Sequence, residues 1–275
     1  MPHPELKFEL IQSATDPRVS DYTNLSERVG IKQFCRFIAE GELVVRHLIE
    51  STYKVRSVFL ADYWLPRAQN VLIGLSPLVP VYSAPESVLN AVVGFKFHRG
   101  ILACGETGTL PSVPQLLANA TTLVILEELS NHDNMGSIFR TASALGGSGV
   151  AVLVSADSCH PMYRKSIRVS MGHVLRIPFT ISDHLEQDLI LVHAAGFTSI
   201  ALTPDPAAVD LRTIDPAAVP KPALLLGAEG PGLSASLLSA ANLNVRIPMS
   251  SHTDSLNVGV AMGIALHHLA TRVAD

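Results

Sequence analysis

A short apolar run, Leu224-Leu225-Leu226, ends in Gly227-Ala228-Glu229-Gly230-Pro231-Gly232-Leu233-Ser234, a glycine-rich turn with one carboxylate inside it. A second apolar run closes at Ile247-Pro248-Met249, and Ser255-Leu256-Asn257-Val258 follows. Open α/β sheets place their ligands at strand-to-loop junctions of this kind, where glycines let the backbone approach closely. The spacing G-x-x-G-x-G is not the dinucleotide fingerprint G-x-G-x-x-G, and no Lys-Ser/Thr follows as a phosphate loop requires. Upstream, Asn134 and Arg140 enclose Gly136 in N-x-G-x-x-x-R. Taken singly, each of these residues has a plain reading. Asn134, Ser255 and Asn257 are good helix caps, Arg140 is a surface arginine, and Glu229 is a solvated turn carboxylate.

Taken together and in order, N-x-G-x-x-x-R, G-x-E-G-x-G-L and I-P-M…S-L-N-V resemble the three signature motifs of the SpoU (TrmH-like) RNA ribose 2′-O-methyltransferases. That family belongs to the SPOUT superfamily of knotted S-adenosylmethionine enzymes. The resemblance covers residues 120 to 272 most strongly. It implies methyl transfer from S-adenosylmethionine to a ribose 2′-hydroxyl of ribosomal or transfer RNA. Asn134, Arg140, Glu229, Ser255 and Asn257 then belong to the catalytic pocket. Gly227, Ile247 and Leu256 fall at cofactor-binding positions, with Met249 beside them. Glu229 would orient Arg140 or a polar neighbour. A guanidinium stays protonated, so Arg140 suits the stabilisation of a developing 2′-oxyanion better than proton abstraction. The resemblance also implies a homodimer, with Arg140 acting at a site shared with the partner subunit. No metal is expected, because the sulfonium leaving group departs neutral and the cofactor brings the reactivity.

Arg164, Lys165, Arg168 and Arg176 form the main basic cluster of the C-terminal half. Charge alone fits a solvated face, but Arg168-Val169-Ser170-Met171-Gly172 resembles the family's R-x-S-x-G segment, which favours a phosphate contact for Arg168. Lys96, His98 and Arg99 alternate with Phe95 and Phe97, a pattern suited to RNA backbone contact and base stacking and equally to an edge strand. Two other classes are weaker. A dinucleotide oxidoreductase needs a glycine fingerprint after the first strand, and none follows Leu126. A non-catalytic RNA-binding protein retaining the fold would be suggested by loss of Asn134, Arg140, Glu229 or Asn257, and all four are present.

The elements that must carry these residues are legible as alternating periods. Thr122–Leu126, Val150–Val154, Ser199–Leu202, Ala223–Leu226 and Leu243–Ile247 read as buried strands. Helical stretches lie between and after them: Ser137–Leu145, Leu185–Ala195 and Ser255–Leu269. Apolar strands alternating with helices predict an α/β fold with a parallel sheet covered on both faces; the knot comes from the resemblance alone. Residues 1–108 read as a smaller α/β domain, with strands at 37–41, 55–60, 80–83 and 99–104 and helices at 42–51 and 85–93. Their order resembles the L30e-like substrate-binding domain that precedes many SpoU catalytic domains. The expected division is therefore 1–108 for RNA binding, 109–119 as linker and 120–275 for catalysis. Gly105–Pro114 is the most linker-like stretch by composition.

The chain has 275 residues, 48% hydrophobic and 16% charged, so it can bury a large core. The net charge of −4 argues against indiscriminate nucleic-acid binding and leaves RNA contact to local basic patches. No apolar run is long enough for a membrane span. Met1–Glu5 lacks the basic-then-apolar leader pattern. Cys35, Cys104 and Cys159 are too scattered for a disulfide framework or C-x-x-C metal site, and a reducing cytoplasm is the expected location. His267 and His268 lack ligand spacing.

Overall fold

The computed structural model describes residues 6–23, 35–250 and 252–269. Met1–Glu5, where the leader pattern is missing from the sequence, lies outside them. Along the chain run β1 (Phe8–Leu10), β2 (Arg36–Glu40), α1 (Glu42–Glu50), β3 (Val55–Ala61), α2 (Leu65–Val71), β4 (Val81–Ala84), α3 (Glu86–Val93), β5 (Ile101–Glu106) and α4 (Val113–Leu117). There follow β6 (Thr122–Leu126), α5 (His132–Leu145), β7 (Val150–Ser155), α6 (Arg164–Val169), β8 (Phe179–Ser182), α7 (Leu185–Ala194) and β9 (Thr198–Leu202). The last elements are β10 (Val209–Asp210), β11 (Pro222–Leu226), α8 (Ala235–Ala240), β12 (Leu243–Arg246) and α9 (Val258–Leu269). They gather into two compact units, one of Met1–Thr109 with Met162–Arg176, the other of Leu110–Pro161 with Ile177–Asp275.

The first unit is built on a mixed five-stranded sheet, β1-β4-β3-β5-β2, in which β5 pairs antiparallel with both β2 and β3. Tyr22, Phe59, Leu89, Phe97 and Leu102 fill one core cluster, and the Tyr22 hydroxyl shares a 2.8 Å hydrogen bond with Ser57. Cys104 sits in the same core, where burial pushes its thiol up to about 12 and removes it from nucleophilic chemistry. Gly105, which composition places in the linker, belongs to β5. A Cβ there would meet the Phe37 ring at 2.4 Å, so the glycine makes room for an aromatic and does not loosen the chain. The linker-like stretch also yields its far end to α4, where Ser112 and Gln115 form a reciprocal capping box.

The second unit is an all-parallel seven-stranded sheet, β10-β12-β9-β11-β6-β7-β8. From β6 the chain adds β7 and β8 on one side. It then returns to lay β9 two places away on the other side, and β11 enters between β9 and β6. The strand order therefore reverses beside β6, the position at which the carboxyl ends of neighbouring strands diverge and leave a crevice. Every residue of β7 and β11 is buried, as a sheet covered on both faces requires. Leu123, Ile125, Leu153, Leu225 and Leu237 pack in one core cluster with Leu189, Val192 and Phe197, while α9 packs against α5 and β11. Among the described residues no helix is long and apolar enough to cross a membrane.

Because Leu225 is fully buried at the centre of this sheet, Leu225→Ala should destabilise the second unit by about 2–5 kcal/mol. Urea unfolding followed by far-UV circular dichroism should show an earlier midpoint for the variant; an unchanged midpoint would contradict the packing described.

Candidate active site

The chain leaves β11 at Gly227 and turns back at once. A Cβ on Gly227 would stand 2.1 Å from the backbone carbon of Gly232, so the two ends of the turn touch. The Gly232 N–H donates to the Ala228 carbonyl at 3.0 Å, and Gly230 and Gly232 take φ of +97° and +76°. These are left-handed values that side-chain-bearing residues rarely adopt. From the next strand, Glu127 closes the loop: its backbone N–H donates to Leu226 O at 2.9 Å, and its carboxylate accepts from the Ser234 N–H at 2.7 Å. Glu127 is absent from the motifs read in the sequence. Its one signal is a carboxylate directly after a buried strand, with nothing in the spacing to connect it to Ser234.

This loop forms one wall of a cavity of about 420 Å³, within the usual range of roughly 300–1,000 Å³ for ligand pockets. The other walls come from the ends of β9 and β12 and from the segment before α9. Gly227, Ile247, Met249 and Leu256 all line it, as do Glu229, Ser255 and Asn257. Leu202, at the end of β9, lines it as well, together with Thr203 and Pro204 after the strand, and none of the three carries a recognisable site signal in the sequence.

Asn134 occupies a position the capping interpretation does not allow. The cap of α5 is Asn131, whose side chain accepts from the Asp133 N–H at 2.9 Å. Asn134 lies one turn inside the helix and is 5% exposed. Its amide group donates to the Glu229 carboxylate, and its Oδ1 accepts from Asn257 Nδ2 at 2.9 Å. Asn257 Oδ1 in turn accepts from the Gly259 N–H at 3.0 Å and the Val260 N–H at 3.4 Å. Asn257 thus caps α9, and the helix begins at Val258, not at Ser255 as expected. Ser255 lies before the cap, exposed on the cavity wall. The partner of Glu229 is the polar neighbour Asn134.

Arg140 stands apart from this network. Six helical residues separate it from Asn134, which turns its side chain about a third of a revolution away. It is exposed and does not line the cavity. On another face of α5, Ser137 and Thr141 face Gly259, Val260, Gly263 and Ile264 of α9 across a shallow groove.

The remaining expected RNA contacts lie in the first unit. Phe95–Arg99 is a loop and not an edge strand, fixed where the Phe97 N–H donates to Asn90 Oδ1 at 2.7 Å. Phe97 is 1% exposed and cannot stack on a base, which corrects that expectation for Phe97, while Phe95 is half-buried. Lys96 is exposed, while Arg99 and Arg168 both pair with Glu40, at 3.4 and 3.6 Å. Among the described residues no group of His, Cys, Asp and Glu could hold a metal ion.

Residues 121–267 match the SpoU rRNA methylase family. A tRNA/rRNA methyltransferase of Mycobacterium tuberculosis, itself uncharacterized, is 37% identical over 271 residues, 96% of this chain and 93% of that protein. The 23S rRNA (adenosine(1067)-2′-O)-methyltransferase of Streptomyces azureus is 35% identical over 201 residues, 70% of this chain and 71% of its own. The crystal structure of an S-adenosylmethionine-bound rRNA methyltransferase from Sinorhizobium meliloti superposes with a TM-score of 0.80 at 25% identity, covering 95% of this chain and 97% of that one. Fold, cavity and kinship define an S-adenosylmethionine-dependent RNA methyltransferase. The chain belongs to the SpoU rRNA methylase family.

Gly227→Ala should force the touching ends of the loop apart, because the obstructing atoms are backbone. Equilibrium dialysis with labelled S-adenosylmethionine should show at least a tenfold loss of affinity, on the order of 1.4 kcal/mol or more. Wild-type affinity in this variant would mean that the loop does not form the cofactor wall.

Proposed function

We propose that this protein transfers the methyl group of S-adenosylmethionine to a ribose 2′-hydroxyl of ribosomal or transfer RNA. The observation that carries this reading is the Asn134 bridge between Glu229 and Asn257, at the wall of a glycine-lined cavity in a chain of this family.

The cavity suits the cofactor. The close turn at Gly227 leaves backbone groups bare where a side chain would block approach, and Leu202, Leu226, Ile247 and Leu256 give apolar walls for an adenine ring. Gly227, Ile247, Met249 and Leu256 would hold it. When bound, S-adenosylmethionine supplies an electrophilic methyl group on a sulfonium sulfur. The chain's own residues must then place the ribose and stabilise the oxygen as it gains negative charge. Glu229, held by Asn134, and Ser255 line the side from which a ribose would enter. Arg140 is the fixed cation for the oxyanion and the adjoining phosphate, through electrostatics and not proton abstraction.

The exposed position of Arg140 supports a site shared between two copies of the chain. Gly259 and Gly263 on α9 leave the groove against α5 shallow, and Val260 and Ile264 project there with 51% and 41% exposure. A second copy seated on this face would cover these apolar residues and carry Arg140 to an interface. The crossing of β11 between β6 and β9, with α9 back against β11, is compatible with the family's knotted path. Residues 1–108, the division proposed from sequence, would be an L30e-like RNA-binding domain that uses Lys96 and Arg99, and α6, which falls in the same compact unit, would add Arg168.

Methyl-labelled S-adenosylmethionine, incubated with unmodified ribosomal and transfer RNA and followed by alkaline hydrolysis, should give labelled alkali-resistant dinucleotides from one RNA class. Label on the bases would overturn the ribose assignment, and RNA binding without any transfer would favour a non-catalytic RNA-binding role. Arg140→Ala should lower kcat by roughly 10²–10³ with cofactor affinity unchanged. Ile264→Glu should shift the protein to monomers in sedimentation equilibrium and abolish turnover. Full activity in a monomer would exclude the shared site.

A further inference from the structure

Glu40, the last residue of β2, keeps only 6% of its side chain exposed. A carboxylate so far from water needs compensating partners, and one bidentate arginine would suffice. Glu40 has three. Arg164 Nη1 donates to Oε2 at 3.2 Å, Arg168 Nη1 lies 3.6 Å from the same oxygen, and Arg99 Nε lies 3.4 Å from Oε1. Arg164 and Arg168 are four residues apart on α6 and share a face. Three guanidinium charges against one carboxylate leave the cluster at +2. Among the described residues Glu40 is the one carboxylate ion-paired with these arginines.

The cluster is held in place and open to solvent. The Arg164 guanidinium lies 4.9 Å from the centre of the Phe95 ring, and its side chain is 20% exposed. Arg99 lies against the turn after β2, where a Cβ on Gly41 would come within 3.2 Å of its Cδ and Nη1, and Gly41 has φ of +92°. The outer parts of Arg99 and Arg168 remain accessible, with side chains 52% and 35% exposed. Each guanidinium carries five donors, far more than two carboxylate oxygens can accept. Ordinary solvated arginines spread apart to lower their mutual repulsion. These converge, and their excess charge and forked donors match a phosphodiester.

We propose that Arg99, Arg164 and Arg168 form a clamp for the phosphate backbone of the RNA, with Glu40 as the positioning residue that gathers them. The assignment of the anion to RNA rests on the functional reading above. The clamp predicts an unusual sign for Glu40. A loose basic patch would bind RNA more tightly once its one negative charge is removed. A clamp organised by that charge binds more weakly.

The test uses the full chain, in vitro transcribed unmodified 23S ribosomal RNA as probe, and filter binding across a salt series. Arg164→Gln combined with Arg168→Gln should weaken binding about tenfold or more. The slope of log affinity against log salt should flatten by roughly 0.7–0.9, the loss of one phosphate contact. Glu40→Gln should also weaken binding and raise KM for RNA more than it lowers kcat, with S-adenosylmethionine affinity unchanged in equilibrium dialysis. Wild-type affinity and slope in the double variant, tighter binding in Glu40→Gln, or no RNA binding by the wild type would each overturn the clamp. Absence of methyl transfer alongside these binding changes would instead fall on the proposed reaction.

Discussion

Asn134 is an amide buried inside a helix, and both ends of its side chain are committed to residues far along the chain. Its donor meets Glu229, 95 residues on, and its acceptor meets Asn257, 123 residues on. A buried amide left without partners would cost about 1–3 kcal/mol, so the contact constrains as well as stabilises. It ties the glycine-rich loop after β11 and the start of α9 to the same point on α5. The cavity walls contributed by Glu229 and Asn257 keep their separation because both are fixed to one side chain. The positive end of α9 is linked through two amides to a carboxylate, which gives the site a directed polar edge beside otherwise apolar walls.

The sheet order supplies the space that this contact frames. With β11 inserted between β6 and β9, the loops after β9, β11 and β12 open over adjacent strand ends, and the cavity lies among them. A dinucleotide fold would place its glycine loop after the first strand. Here the residue after the first strand, Glu127, has a different task and fixes the glycine loop from behind. The same parallel architecture therefore holds a ligand at a different set of loops, and the glycine spacing differs accordingly.

Arg140 is exposed and lies outside the cavity that Asn134 helps to frame. It shares α5 with Asn134, yet helix geometry turns it about a third of a revolution from the network, onto the exposed side of the helix. In the first unit, three arginines converge on one buried carboxylate instead of spreading over the surface. The two features agree in kind, since each leaves guanidinium donors accessible to solvent.

Much of the fold was legible in the sequence. The buried strands of the second unit and the long helices between them have clear periods, and the three motifs, in order, carry the family. Local periodicity sufficed there because β6, β7 and β11 are apolar along their length and α5 and α7 are long enough to show a repeat. Short or context-dependent elements were not legible: β1, β8, α2 and α6 are brief, and Gly105 reads as linker although it serves the packing of Phe37. The site divides in the same way. The resemblance carried by the three motifs brought Asn134, Glu229 and Asn257 under consideration as polar groups near a ligand. Only the tertiary structure decided that Asn131 and Asn257 are the caps, that Asn134 bridges Glu229 to Asn257, that Phe97 faces the core, and that Glu40 gathers three arginines. Each of those facts depends on which residues meet across long sequence separations, and pairing at that distance leaves no periodic trace in the chain.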